Sequence, residues 1–451
     1  MKNTDDRPDA GINLLPSGNN GILDFLGSKL WEFDILRHYR KIKKNLGLTS
    51  GELEKYQDEK FRKIILHAYL TVPFYRKALD KEGVSPQSVK GVADIYKLSI
   101  ISKEELRAMP PQQILSSKFA KSTLISVNTG GSTGKPFRVY LSKAENKVRI
   151  AEGYRIFALH GYNIFDKIGT AGYHPPRKDK ANALGMLRKV GIPFTATMQE
   201  CVRILQKEKP EVLDGYPSRL NLIALYAIEH HIKMYRPKAI FTNSEMMFPQ
   251  MRKNIKKAFG VEPTNVYDCW EFGRIAWECP EHNGMHINSD SIIVEILDNG
   301  KPVPPGKVGT VVVSGLNNFA MPLIRYNMGD TASIAKHRCS CGINFPLLTG
   351  LSGRASSYIK LDSGQTISLT GLAQHILESE HIMEYQIQQK REGELIINLV
   401  ADTHYNSKND LMIQKKFASL GHFKKIEIRR VKSIKRTKSG KLLPVITSNN
   451  K

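Results

Sequence analysis

The chain has 451 residues, enough for one large domain and a smaller one, and its 41% hydrophobic content is ordinary for a soluble globular fold. Five cysteines are too few for a disulfide framework, no apolar run approaches a membrane span, and the polar Met1-Lys2-Asn3-Thr4-Asp5-Asp6-Arg7 lacks a secretion-signal core, so a cytoplasmic location is expected. The 67 Lys and Arg against 43 Asp and Glu leave a formal charge of +24, which favours anionic partners such as phosphorylated substrates or lipid headgroups.

Residues 1–20 are rich in Gly, Asn and Pro without periodicity and read as a flexible tail. From 23 to about 105 helical patterns dominate, broken at Pro73 and at the turn Gly83-Val84-Ser85-Pro86. Within them, Arg37-His38-Tyr39-Arg40-Lys41-Ile42-Lys43-Lys44 follows Leu30, Trp31, Phe33 and Leu36. This is expected to be a packed helix with a basic outer face, and peripheral membrane contact is the alternative. Next, the β-prone Leu124-Ile125-Ser126-Val127 leads into Thr129-Gly130-Gly131-Ser132-Thr133-Gly134-Lys135-Pro136. Glycines let backbone N–H groups turn towards an anion, while the hydroxyls and Lys135 add donors and charge. The run is not the usual NTPase loop, because Thr129 stands where that pattern has its first Gly and Pro136 follows the lysine.

Between 120 and 350 short β-rich runs alternate with helices at 218–232 and 250–259, which argues for an α/β domain. Strands at 291–297 and 310–314 are joined through the Asp298-Asn299-Gly300 turn and a proline-rich loop. Two short knuckles, Cys279-Pro280-Glu281-His282 and Cys339-Ser340-Cys341-Gly342, together offer four soft ligands. That set suits a closed, structural zinc site, with His286 and His337 as rivals of His282 for the fourth position. After Gly353-Arg354 the pattern changes to strands at 357–361, 394–400 and 425–431 with helices at 372–379 and 408–420. A boundary near 355 would divide a large domain, 21–355, from a C-terminal α+β lid, 356–451. Basic residues between Lys424 and Lys441 alternate with Ile426, Ile428, Val431 and Ile434, the period of a half-buried strand. Lacking interleaved aromatics, they do not make a nucleic-acid site.

Four further motifs occur in order: Tyr267-Asp268-Cys269-Trp270-Glu271-Phe272-Gly273, Pro322-Leu323-Ile324-Arg325-Tyr326-Asn327-Met328-Gly329-Asp330, Gly353-Arg354, and Lys435-Arg436-Thr437-Lys438-Ser439-Gly440-Lys441. With the Thr129–Lys135 loop they resemble the core motifs of adenylate-forming enzymes, the acyl-CoA synthetase superfamily. The segment from Ile64 to Arg76, Gly215-Tyr216-Pro217-Ser218 and the cysteine knuckles are similar to the phenylacetate–CoA ligase and CapK-type branch. The resemblance spans about 50–445. It implies a large multi-layer α/β nucleotide- and substrate-binding domain with a small mobile lid.

The resemblance also implies roles. The loop residues Thr129, Gly130, Gly131, Ser132, Thr133, Gly134 and Lys135 would grip the β- and γ-phosphates of ATP, and Glu271 would hold Mg²⁺, a hard cation that bridges carboxylate to phosphate. Tyr267 would face adenine, Asp330 the ribose hydroxyls, and Arg354 the ribose or phosphate. Ser244-Glu245 matches the nucleotide-side loop, and Tyr216 with Pro217 would line the acyl pocket. Lys441 would bridge carboxylate and α-phosphate in the transition state, with Glu271 and Thr133 completing the catalytic set. Three departures stand out: Asp268 replaces a glycine, Trp270 a Ser or Thr that helps hold the α-phosphate, and Ser356 and Ser357 stand where the hinge has aspartates. A carboxylate at 268 could meet an amino group on the substrate, or simply a backbone N–H. The expected activity is ATP-dependent formation of an acyl-AMP from a carboxylic acid, with transfer to coenzyme A or to a glycan acceptor in surface polysaccharide synthesis. The alternatives are an adenylyltransferase that stops at the adenylate and a zinc-stabilised nucleotide-binding protein that has lost catalysis.

Overall fold

The computed structural model describes residues 21–129, 137–171, 186–352, 358–368, 376, 381–436, 442–443 and 445–447. Helix α1 (Gly21–Lys44) is followed by α2 (Ser50–Thr71), which opens on a Thr49/Glu52 capping box that satisfies its first free N–H groups. Pro73 cannot continue α2 but suits the first turn of α3 (Pro73–Glu82), which Gly83 ends in a left-handed conformation. Short helices α4 (Lys103–Ala108) and α5 (Pro111–Ile114) lead to the hairpin β1 (Ile125–Thr129) and β2 (Phe137–Leu141). Thr129 pairs with Phe137, so residues 130–136 join the two strands at the hairpin's tip.

Among the described residues the main sheet has twelve strands. Its parallel half runs β4 (Lys189–Ile192), β3 (Ile168–Ala171), β5 (Val212–Gly215), β6 (Ala239–Asn243) and β7 (Pro263–Cys269). Helices α6 (Lys143–Leu159), α7 (Met198–Glu208), α8 (Pro217–Glu229) and α9 (Pro249–Phe259) fall between or before these strands, as parallel pairing requires crossovers. The antiparallel half continues through β8 (Gly273–Glu278), β9 (Met285–Ile287), β14 (Leu347–Ser352), β13 (Tyr326–Ile334), β12 (Gly309–Gly315), β10 (Ile292–Asp298) and β11 (Lys301–Pro302). The expected pair at 291–297 and 310–314 is β10 and β12, matched Ile292 to Gly315. Gly215 ends β5 where only glycine fits, since a Cβ there would lie 2.4 Å from the Ala171 carbonyl oxygen.

The C-terminal part forms its own sheet. After β15 (Tyr358–Lys360) and β16 (Thr366–Ser368), strands β17 (Ile382–Arg391), β18 (Glu394–Ala401), β19 (Lys425–Arg430) and β20 (Val445–Thr447) order as β19-β18-β17-β20, with α10 (Ser407–Leu420) between β18 and β19. The basic strand stops at Arg430 rather than running towards Lys441. The helix expected at 372–379 lies outside the described residues apart from residue 376. Phe248 and Met251 of the large domain pack into the core of this sheet, with Phe248 and Tyr385 rings 6.2 Å apart. No described helix is long and apolar enough to cross a membrane.

Candidate functional site

Among the described motif residues, Ser244, Tyr267, Asp268 and Glu271 lie at or just beyond the carboxyl ends of β6 and β7, where open parallel sheets bind ligands, and Asp330 of β13 meets Tyr267 there. Glu271 sits in the turn between β7 and β8, and α6 holds that turn. Arg149, buried on α6, donates to the carbonyl oxygens of Trp270 and Glu271 at 2.6 Å each, and Asn318 Nδ2 adds a third bond at 3.0 Å. The Glu271 side chain is only 5% exposed as a residue, and its Oε1 lies 3.2 Å from Lys103 Nζ and 3.5 Å from Tyr326 Oη. Lys103 also stands 5.7 Å from the centre of the Phe137 ring, in the last pair at the tip end of the β1–β2 hairpin. A buried carboxylate beside a lysine is an oxygen ligand of the kind that a hard divalent cation takes.

Across from it, Tyr267 Oη donates to Asp330 Oδ2 at 2.5 Å. Burial and the Asp330 charge hold the Tyr267 phenol well above its ordinary range, so it remains a donor. Asp268 accepts from the backbone N–H and hydroxyl of Ser244 at 3.1 and 3.2 Å, the backbone partner that sequence left as one alternative. Ser244 itself has φ +65°, an uncommon conformation for a residue with a Cβ, which that bond helps hold. Asp214, the penultimate residue of β5, accepts from Asn243 Nδ2 at 2.7 Å; burial, then the nearby Asp268, push its carboxyl up to about 6 despite Arg274.

Tyr216 is buried and caps α8, whose first residue is Pro217. Glu245 turns towards the C-terminal part: Oε1 accepts from the Leu442 N–H at 2.8 Å and Oε2 from the Ser218 N–H at 3.3 Å. The loop residues Gly130, Gly131, Ser132, Thr133, Gly134 and Lys135, the side chain of Thr129, Arg354, Ser356, Ser357 and Lys441 lie outside the described residues.

A second cluster lies apart. Cys279, His286, Cys339 and Cys341 bring one ligand atom each within 4.8 Å of one another, with Cys279 and Cys339 sulfurs 3.5 Å apart and Cys341 Sγ 3.3 Å from His286 Nε2. His286 Nδ1 donates to the Phe345 carbonyl at 3.1 Å, which leaves Nε2 as the lone-pair face, the orientation a metal ligand needs. The knuckle residue His282 is not the fourth member. Its Nδ1 is taken by Glu278 at 3.0 Å, and Glu278 is itself gripped by Arg252 at 2.8 and 3.0 Å. The Cys-x-x-His spacing of Cys279 and His282 is therefore misleading; β9 runs back beside the cysteines and delivers His286. His337 is exposed and outside the cluster.

Lys103, Arg149 and Asn318 serve the site without a sequence signal of their own, and Tyr326 stands in the 322–330 motif without having been singled out. Only the charged stripe Glu145, Arg149, Glu152, Arg155 hinted at it, and helical spacing of charges ordinarily marks a solvated face.

Residues 360–448 match the CapK C-terminal domain family. Over 372 residues, the chain is 28% identical to a phenylacetate-coenzyme A ligase of Thermus thermophilus, covering 77% of this chain and 80% of that one. It is 27% identical to Protein CapK of Staphylococcus aureus over 312 residues, 66% of each. Among solved structures, it superposes with a TM-score of 0.75 on 2-hydroxyisobutyryl-CoA ligase in the postadenylation state with 2-HIB-AMP, at 21% identity and covering 89% and 91% of the two chains. Against the same ligase in the thioesterification state, at 22% identity and the same coverage, the score is 0.61.

Proposed function

We infer that this chain, a member of the adenylate-forming superfamily in its phenylacetate–CoA ligase and CapK-like branch, activates a carboxylic acid with ATP as an acyl-AMP and passes the acyl group to coenzyme A. It is an adenylate-forming ligase. The observation that carries the mechanistic reading is the meeting of Glu271, Tyr267 and Asp330 at one end of the sheet, with Glu271 buried against Lys103.

In this reading, a carboxylate oxygen attacks the α-phosphorus, the bond to the β-phosphate oxygen breaks, and pyrophosphate leaves. Coenzyme A thiolate then attacks the acyl carbonyl and AMP departs. Glu271 would hold Mg²⁺, which when bound would neutralise charge on the triphosphate. Arg149 and Asn318 keep the Glu271 turn fixed, so no reorganisation is needed as charge develops. Asp330 takes the ribose hydroxyls with Tyr267 fixing one of its oxygens. Residues 130–135 cradle phosphates, Arg354 meets the ribose or phosphate, and Lys441, on a lid of 356–451, meets the reacting oxygens. Tyr216 and Pro217 line the acyl side. Asp268 is placed to shape the Ser244 turn rather than to await a substrate amine.

The second cluster fits zinc: three thiols and one oriented imidazole make a closed tetrahedral set whose effect would be structural. Purified protein should hold about one zinc per chain. His286→Ala, or Cys339→Ser with Cys341→Ser, should lose it together with thermal stability, whereas His282→Ala should retain it. Elemental analysis decides the matter: equal zinc in the His286 variant would refute the assignment.

The match to the CapK C-terminal domain keeps a glycan hydroxyl or amine as the rival acceptor. After single-turnover adenylation, chasing with coenzyme A should give thioester. Persistent acyl-AMP with coenzyme A, consumed only on adding an amino sugar, would favour the glycan reading.

A further inference from the structure

Helix α1 is held to the large domain by one face. Ile35 and Ile42 are buried against Ile150 and Ala151 of α6, with Tyr39 and Tyr154 packed around them. The opposite face carries Phe33, Arg37, Arg40, Lys41 and Lys44, which recur at steps of three or four residues and so line one side of the helix. All five are exposed, Phe33 at 63% and the Arg37 side chain at 77%. Lys43, also exposed, flanks them. Asp34 is the one acid between residues 33 and 44, and its charge is met by Lys147 of α6, whose Nζ lies 2.6 Å away, with Arg37 at 3.7 Å. The outer line of α1 is therefore cationic, with an aromatic ring at one end.

The positive charge continues onto α2. Burial, then Lys41 of α1 and Lys63 of α2, hold the Lys60 amine below its ordinary range, so these three ammonium groups share one neighbourhood. From Lys63 the exposed line of α2 runs on through Leu66 and Leu70, 43% and 53% exposed. Glu59 is the acid on that line, and the exposed Arg62 lies beside it. One exposed leucine needs no explanation, but two a turn apart beside Lys63, with Phe33 on the neighbouring helix, set apolar side chains among cations. An anionic bilayer rewards both: the cations sit at headgroup phosphates while the apolar side chains reach the acyl boundary. A nucleic-acid backbone would reward the charges alone. No described helix is long and apolar enough to cross a membrane, so this contact is made at the surface.

We propose that the outer faces of α1 and α2 form a docking surface for an anionic lipid bilayer. Arg37, Arg40, Lys41 and Lys44 meet the headgroups, and Phe33, Leu66 and Leu70 enter the interface. None of these residues belongs to the site at Glu271, Tyr267 and Asp330, so the surface stands or falls independently of the ligase reading.

The test is sedimentation of the full chain with vesicles of phosphatidylcholine alone, or of phosphatidylcholine with about a third phosphatidylglycerol. Binding should be confined to the anionic vesicles and fall about tenfold or more when salt is raised to about 0.5 M. Arg40→Gln, Lys41→Gln and Lys44→Gln together should weaken it about tenfold or more. Lys390→Gln, Lys408→Gln and Lys415→Gln remove the same charge from exposed positions of the C-terminal part and should leave binding within about twofold. Phe33→Ser, and Leu66→Ser with Leu70→Ser, should each weaken it about threefold or more at an unchanged melting temperature. Equal sedimentation with neutral vesicles, or equal losses in the two charge triples, would overturn the proposal. Unchanged binding in both apolar variants would overturn it too, since charge alone suits any polyanion. So would capture of an RNA oligomer by a chain that leaves anionic vesicles unbound.

Discussion

Replacing Arg155 with methionine should destabilise the fold by about 3–5 kcal/mol, because it strands a buried carboxylate. Arg155 and Asp290 are each 1% exposed and paired through both guanidinium nitrogens, at 2.6 and 2.9 Å. Arg155 also donates to Asn288 and, at 3.0 Å, to the Ile42 carbonyl near the end of α1. Asp290 in turn accepts from Asn45 Nδ2 at 2.8 Å. One side chain therefore joins α1, α6 and the turn between β9 and β10, on the same helix that carries Arg149. Urea denaturation should show the midpoint fall with little change in slope. Arg429→Met, which breaks only the exposed pair with Glu427, should leave the midpoint where it was. A shift in the Arg155 variant no larger than in the Arg429 variant would refute this account of the core.

Lys441→Ala should remove about 2–4 kcal/mol of transition-state stabilisation, roughly a 30- to 1,000-fold loss of pyrophosphate exchange, with ATP affinity nearly intact. In the proposed mechanism the reason is the charge that would build between the attacking carboxylate and the α-phosphate, which a cation there would relieve. Exchange that survives the substitution unchanged would withdraw Lys441 from the catalytic set. A parallel loss of ATP affinity would make it a binding residue instead.

Much of this architecture was legible because local chemistry decided it. Pro73 and Gly83 delimit α3, Pro249 and Gly260 bracket α9, and the β-branched runs in Ile292–Asp298 and Gly309–Gly315 give a strand pair. What escaped depends on contacts far apart in sequence. The stripe of charges on α6 looks solvated until a twelve-stranded sheet and α1 cover it. Lys103 meets Glu271 across 168 positions, and no spacing rule reaches that far. The same limit misassigned the metal cluster: Cys-x-x-His suggested His282, but Arg252 and Glu278 claim that ring while strand pairing brings in His286. Glu245 was read as nucleotide-side from its motif, whereas its oxygens face α8 and Leu442.

Carboxylate-dependent exchange of labelled pyrophosphate into ATP, run with Mg²⁺ across a panel of aryl and small aliphatic acids, bears most directly on the central claim. The account predicts exchange that needs both an acid and Mg²⁺ and falls at least about a hundredfold in Glu271→Gln. Saturable ATP binding with no exchange for any acid would contradict it, and would point to a nucleotide-binding protein without catalysis.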